Sequence, residues 1–228
     1  MAEVTAALSA CGKQDERIRT AEQLLNQKYG EEFSVTSYDG QEMMASYYEV
    51  TAYANEHPTL PFEASVNSDG SAVSDDYVAR RVCERISEQV ALNLSALPCT
   101  SYVHTDIMSG DSVCSDPNIS IAEFVSEWEP YNRYYIYVHL SEGDLDAGQA
   151  AGILAKSLSG LEMLKGNISV YVSSDERIAE VQDYVESHTG IYDSYSKLTD
   201  SDLRGEYAFE NGVIAADVSA LEADLIGH

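Results

Sequence analysis

Basic residues are scarce: 13 Lys and Arg stand against 39 Asp and Glu in a chain of 228, a formal charge of −26. A surface of that sign repels phosphate backbones and anionic lipid headgroups, which excludes a nucleic-acid groove and membrane attachment through charge. The deficit is local as well as global. No base lies between Lys28 and Arg80, against ten acids, or between Arg85 and Arg133, against seven. Long apolar runs are also missing, and no segment approaches the roughly 18 residues of a spanning helix. A glycine-rich phosphate loop, a Gly-x-Ser-x-Gly elbow and a Cys-x-x-Cys pair are all absent. His57, His104, His139, His188 and His228 are too dispersed for a metal-site spacing. No metal or cofactor is therefore expected. Ser194-Tyr195-Ser196-Lys197 matches the Ser-x-x-Lys of penicillin-interacting enzymes, but its Ser-Asp-Asn and Lys-Thr-Gly companions are lacking.

What is present begins with an apolar fraction of 44% in 25.0 kDa, enough to bury one full core or two small ones. Four cysteines are too few for a disulfide scaffold. The first, Cys11, follows Leu8-Ser9-Ala10, an apolar residue and two small ones ahead of a thiol. Small residues let a chain enter a peptidase site in extended form, and the thiol can carry a diacylglycerol anchor. On this reading Met1 to Ala10 is the remnant of an export signal and Cys11 the lipidation site, although the basic and apolar parts of such a signal are not in the sequence. Three cysteines then remain. Cys99 and Cys114 flank a turn-rich stretch and are candidates for a disulfide outside the cytoplasm; the alternative is three thiols, with Cys83 in a helix core.

Periodicity supplies the elements. Ile18, Ala21, Leu25 and Tyr29 predict an amphipathic helix closed by Gly30. Strands follow at Phe33 to Thr36, Ser46 to Ala54 and Phe62 to Val66, with turn signals at Asp39-Gly40 and Asn67-Ser68-Asp69-Gly70. The second turn can be forced into a calcium-loop frame, but a strand precedes it where an EF-hand needs a helix. Ser74 to Asp76 caps a helix ending before Pro98 that carries Arg80, Arg81 and Arg85. A strand is expected at Ser101 to Met108, a turn at Ser109 to Ser112, a short helix or strand at Ile119 to Trp128, and a strand at Tyr134 to Leu140. A helix from Asp146 to Leu164, a strand at Ile168 to Val172, a helix to Gly190 and a terminal hairpin across Asn211-Gly212 complete the reading. The fold class is α+β: an N-terminal helix on a three-stranded antiparallel meander, then a second α/β unit with a βαβ element. The boundaries are 1–14 for the leader remnant and tether, 15–72 for the meander unit and 73–228 for the second.

The lipobox, the stretch Ala21 to Phe33, the strand Tyr47 to Tyr53 and the segment Asp69-Gly70 to Asp76-Tyr77 together resemble uncharacterised surface lipoproteins of Gram-positive bacteria. The resemblance covers residues 8 to about 95. It implies an anchored, outward-facing domain in the cell envelope and carries no catalytic residues across.

Tyrosine is abundant at 16 residues, against one tryptophan and four phenylalanines. Tyr47 and Tyr53 on one strand, and Trp128, Tyr131, Tyr135 and Tyr137 near another, form a candidate binding surface for an envelope protein or glycan; ordinary sheet packing is the competing reading. Three functions are open. The leading one is a non-enzymatic binding or structural module, tethered to the membrane by lipid alone. The second is an envelope-polymer hydrolase using two of Glu127, Glu129, Glu142 and Asp144. The third is a cytoplasmic acidic regulatory protein.

Overall fold

Ala2, Ala6, Ala7 and Ala10 have the strongest helix propensity of any residue type, and the Gln, Glu, Arg and Leu that follow them are little weaker. The computed structural model describes residues 2–39, 46–107, 114–189 and 193–226, and in it this composition forms one helix, α1 (Ala2–Tyr29). The stretch expected as a tether is thus helical and continuous with the amphipathic segment. Gly12, the residue that argues against continuity, costs only about 1 kcal/mol in a helix interior. Gly30 ends the helix, its N–H donating to the Asn26 carbonyl at 2.9 Å.

The chain divides into two compact units, one comprising 1–78 with 110–117 and the other 79–109 with 118–228. The division falls inside a helix, after Val78, later than the boundary at 72 expected from the turn signals. In the first unit α1 is followed by β1 (Phe33–Asp39), β2 (Tyr47–Ala54), β3 (Phe62–Asn67) and β4 (Val73–Asp75), an antiparallel sheet in that order. It has one strand more than expected, because the Asn67 to Gly70 turn returns the chain along β3. The Gly40 half of the Asp39-Gly40 signal lies outside the described residues. Tyr48, Val50, Ala52 and Ala54 point inward with Phe62, Ala64 and Val66, against Ala21 and Leu25 of α1. Phe33, Phe62 and Tyr77 make the aromatic centre, the Phe33 and Tyr77 rings 5.0 Å apart and edge to face. Two side chains of α1 also close the β1 edge: Asn26 Oδ1 accepts from Phe33 N at 3.0 Å and Glu22 Oε1 from Val35 N at 3.2 Å.

One charged group lies at the bottom of this unit. Asp75 is fully buried and accepts from Lys28 Nζ at 2.8 Å, Tyr29 Oη at 2.6 Å and Tyr77 N at 3.2 Å. Its carboxylate therefore ties the end of α1 to β4 and to the start of α2 (Tyr77–Leu94).

The second unit, from Ala79 onward, contains β5 (Ser101–Ile107), α3 (Ile121–Glu123) running into a π-helical turn (Phe124–Trp128), β6 (Tyr134–Ser141), α4 (Ala147–Leu154), β7 (Lys165–Ser173), α5 (Asp175–Ser187), α6 (Asp193–Thr199), β8 (Leu203–Glu210), β9 (Val213–Ile214) and α7 (Val218–Ile226). The five strands form one sheet in sequence order, antiparallel except for β6 and β7. The expected βαβ element is β6-α4-β7. One sheet face, with Ile136, Val138, Leu140, Ile168 and Val170, is apolar and buried. Ser87 of α2 bonds Thr105 of β5 at 2.9 Å, which places α2 on that face. Such near-continuous apolar runs suit strands covered on both sides.

One element differs from expectation. The helix opened by Asp146 stops at Leu154 instead of Leu164. Beyond it the backbone bonds run three residues apart, Lys156 N to Ile153 O, Ser157 N to Leu154 O and Leu161 N to Leu158 O. Leu158, Leu161 and Leu164 share that spacing and are all buried, so the apolar pattern survives a tighter winding than an α-helix. The Ile119 to Trp128 segment is helical, capped by Ser120, whose side chain accepts from Glu123 N at 3.2 Å. At the other end of the unit Asn211 and Gly212 have φ of 56° and 73°, the left-handed pair that a two-residue hairpin turn requires.

Replacing Asp75 by Ala strands the Tyr29 hydroxyl and the Lys28 ammonium and should cost about 3 to 5 kcal/mol, read from urea unfolding of the full chain. Gly166→Ala should be at least as damaging. A Cβ there would lie 1.8 Å from the Tyr134 carbonyl oxygen, so β6 and β7 would have to separate.

Candidate functional site

Three consecutive strands of the second unit carry almost the same tripeptide: Tyr102-Val103-His104 on β5, Tyr137-Val138-His139 on β6 and Tyr171-Val172-Ser173 on β7. Alternation sends each valine to one face and the flanking residues to the other. In the antiparallel β5–β6 pair Tyr102 faces His139 and His104 faces Tyr137; in the parallel β6–β7 pair His139 faces Tyr171. The rings therefore stack across the strands. His104 lies 4.6 Å from Tyr137 with planes 5° apart, and His139 lies 4.6 Å from Tyr171 at 12°. The two imidazoles are 5.5 Å apart. Tyr195 of α6 stands edge-on over His104, Tyr137 and His139, its hydroxyl 3.0 Å from His139 Nε2.

This layer is dry. His104 is 6% exposed, His139 1% and Tyr195 2%. Neither ring nitrogen of His104 has a hydrogen-bond partner among the described residues. Burial is the first cause that holds the His104 imidazole well below its ordinary range, and the neighbouring His139 adds to it. Burial alone pushes His139 down to about 4. Burial also pushes the Tyr137, Tyr171 and Tyr195 phenols up, so they stay protonated. The Tyr195 hydroxyl then shares one hydrogen bond with a neutral His139, its direction set by the imidazole tautomer. A proton on either imidazole would gain a cation–π contact worth about 0.5 to 2 kcal/mol. Charging both would set two cations 5.5 Å apart, a repulsion of about 3 kcal/mol at an effective dielectric near 20, in addition to desolvation. The neutral pair wins at pH 7.

The residues singled out from sequence are distributed differently. In the first unit Tyr47 is 40% exposed and Tyr53 half-buried on the outward face of β2, six residues and roughly 20 Å apart. In the second unit Tyr137 belongs to the ring layer, while Tyr135 lies beside Asp106 and Asn167 on the same sheet face. Trp128 is 40% and Tyr131 88% exposed. Trp128 is the last residue of the π-helical turn and Tyr131 follows it; within the turn's end Glu129 N donates to Phe124 O at 3.0 Å, and Phe124 is fully buried. Glu127 and Glu129 precede β6, whereas Glu142 and Asp144 follow it; the eight-residue strand between them spans roughly 25 Å, so the two pairs do not share one cleft. A glycosidase pair needs roughly 5 to 9.5 Å. Glu129 accepts from Asn132 Nδ2 at 2.6 Å, and burial pushes its carboxyl up.

Cys83, Cys99 and Cys114 are free thiols; Cys99 belongs to the second unit and Cys114 to the first. Cys114 is buried, with Sγ 4.0 Å from the Asp116 carbonyl oxygen. The side chains of Cys11, Ser194 and Lys197 lie outside the described residues, as does the expected turn at Ser109 to Ser112. No group of three or more His, Cys, Asp or Glu among the described residues is placed to hold a metal ion. The pairing of His104 with His139 was hidden by 35 residues of sequence separation; the repeated Tyr-Val-His is the signal that finds it.

A histidine held below its ordinary value binds its proton more readily unfolded than folded. Stability from His139 is therefore fully present above pH 6.5 and lost as the pH falls towards 4, by about 3 kcal/mol. Urea unfolding at pH 7 and pH 4.5 should show wild type losing most of that amount beyond the loss seen in His139→Gln.

No family model matches the chain, and no curated protein matches it. Among solved structures, it is similar to the crystal structure of a DUF5037 family protein from Ruminococcus gnavus, with a TM-score of 0.70 over 92% of this chain and 99% of that one. The identity is 13%, so what the two share is the α+β fold.

Proposed function

We propose that this chain is a lipid-anchored protein of the Gram-positive cell envelope, tethered through Cys11, whose folded part is a non-enzymatic module that binds an envelope protein or glycan. The exposure of Trp128, the last residue of the π-helical turn, and of Tyr131, three residues further on, is the observation that carries the binding role. Large aromatic side chains with a polar edge supply contact area at small entropic cost, and π-helical turns are frequent at functional sites. The turn is anchored by buried Phe124 and Val125, so it presents Trp128 from a fixed base. The anchoring role rests on Leu8-Ser9-Ala10-Cys11 and on the resemblance to surface lipoproteins. Charge favours the same reading: a body at −26 is repelled by an anionic leaflet, and a covalent lipid overcomes that repulsion where a basic patch is lacking. No described helix is long and apolar enough to cross a membrane.

Metabolic labelling with a fatty-acid analogue, in cells expressing the gene from its native locus, should mark wild type and leave Cys11→Ser unlabelled; absence of label from both overturns the anchor. In a pull-down of purified protein on isolated cell-wall material, Trp128→Ala/Tyr131→Ala should reduce retention at least tenfold. Equal retention of the double variant removes this surface from the reading.

A further inference from the structure

The ring layer holds a feature that binding through Trp128 and Tyr131 does not use. His104 is a buried imidazole whose two ring nitrogens lack partners among the described residues, placed beside a second buried imidazole. An unpaired buried polar group is costly, and apolar rings of the same shape would stack equally well. We propose that His104 and His139 form an acid-sensitive latch: charging the pair releases α6 from the sheet and uncovers the aromatic face of Tyr137 and Tyr171.

The geometry says which element gives way. His104 and His139 stand on strands bonded to each other along seven residue pairs, and β6 is bonded on its other side to β7. That sheet cannot yield without global unfolding. The cover is a helix of seven residues, Asp193 to Thr199, too short to persist without tertiary contacts. Its Tyr195 ring packs edge-on to both imidazoles, and its hydroxyl lies 3.0 Å from His139 Nε2. In the imidazolium both ring nitrogens are donors, so the Tyr195 hydroxyl can then only accept there. Once charged, the rings repel each other and seek water, which the departure of α6 admits.

The groups around the pair offer little compensation. From β5 come Tyr102 and Asp106, from β6 Tyr137, from β7 Tyr171, from α5 Tyr184 and Glu186 with His188 just after it, from α6 Tyr195, and from the turn after α6 Asp200; Glu206 comes from β8. Asp106 is engaged by Arg80 at 3.0 Å, and Glu206 accepts from Asn167 at 2.6 Å. Glu186 and Asp200 act on the Tyr102 and Tyr171 phenols, and neither bonds a ring nitrogen of the pair among the described residues. Tyrosine faces stabilise one imidazolium; they do not relieve the repulsion between two.

Hydrogen exchange of the full chain, expressed as protection factors between pH 7.5 and 4.5, tests the latch. Amides of residues 195–199 should lose at least tenfold protection on acidification while those of β6 and β7 keep theirs. In His104→Phe, which retains the stack on Tyr137, and in His104→Phe/His139→Gln, that loss should be absent or displaced to lower pH. Unchanged protection in wild type, or an equal loss in the variants, overturns the proposal. Should the variants fail to fold, histidine ring NMR of wild type decides. The His104 and His139 resonances should shift over the same pH interval as the α6 loss, whereas titration near pH 6.5 with α6 still protected refutes it.

Discussion

Two imidazoles lie against each other on the sheet of the second unit, and the arrangement exists only while both are uncharged. Their stacking partners, the edge-on tyrosine above them and the helix that carries it all presuppose a dry, neutral layer. Neutrality is maintained by burial more than by any specific partner, since the opposite charges nearby are engaged elsewhere, as Asp106 is by Arg80. The cost is a buried polar ring without a hydrogen-bond partner among the described residues.

The first unit manages a buried charge in the opposite way. Asp75 is met by an ammonium, a phenol and a backbone N–H, which converge on its side-chain oxygens. Those partners come from the end of α1 and the start of α2, so a single group fixes both helix ends against the sheet. Burying the charge with its partners gives rigidity; burying His104 without them leaves an element that can respond to acid. The two units thus use buried polarity for different ends, one for a fixed frame and the other for a conditional contact.

Much of the architecture was legible in the sequence because it depends on local pattern. Tyr48, Val50 and Ala52 alternate with outward residues, and Phe62, Ala64 and Val66 do the same, so each strand and its inward face could be read directly. Asn67 to Gly70 and Asn211-Gly212 marked the turns. The helix after Asp146 was read as too long because Leu158, Leu161 and Leu164 fit helical spacing loosely, while their spacing by three belongs to a tighter winding. The candidate site was legible only in fragments. Tyr137 is partly exposed and also part of the ring layer, and the wide spacing of the histidines in the sequence gives no sign that His104 and His139 meet.

The sequence by itself determined the sign of the field, the alternation of strands, the turns and the recurrence of Tyr-Val-His, because each is a property of neighbouring residues. Only the tertiary structure decided that the two Tyr-Val-His copies run antiparallel, setting each histidine against the other copy's tyrosine, and that a short helix covers them. Register and burial join positions far apart in the chain, and the protonation state of His104 and His139 follows from that meeting. The acidic surface, the first property read, acts on partners in solution; the neutral histidine layer beneath it could be seen only once the strands were paired.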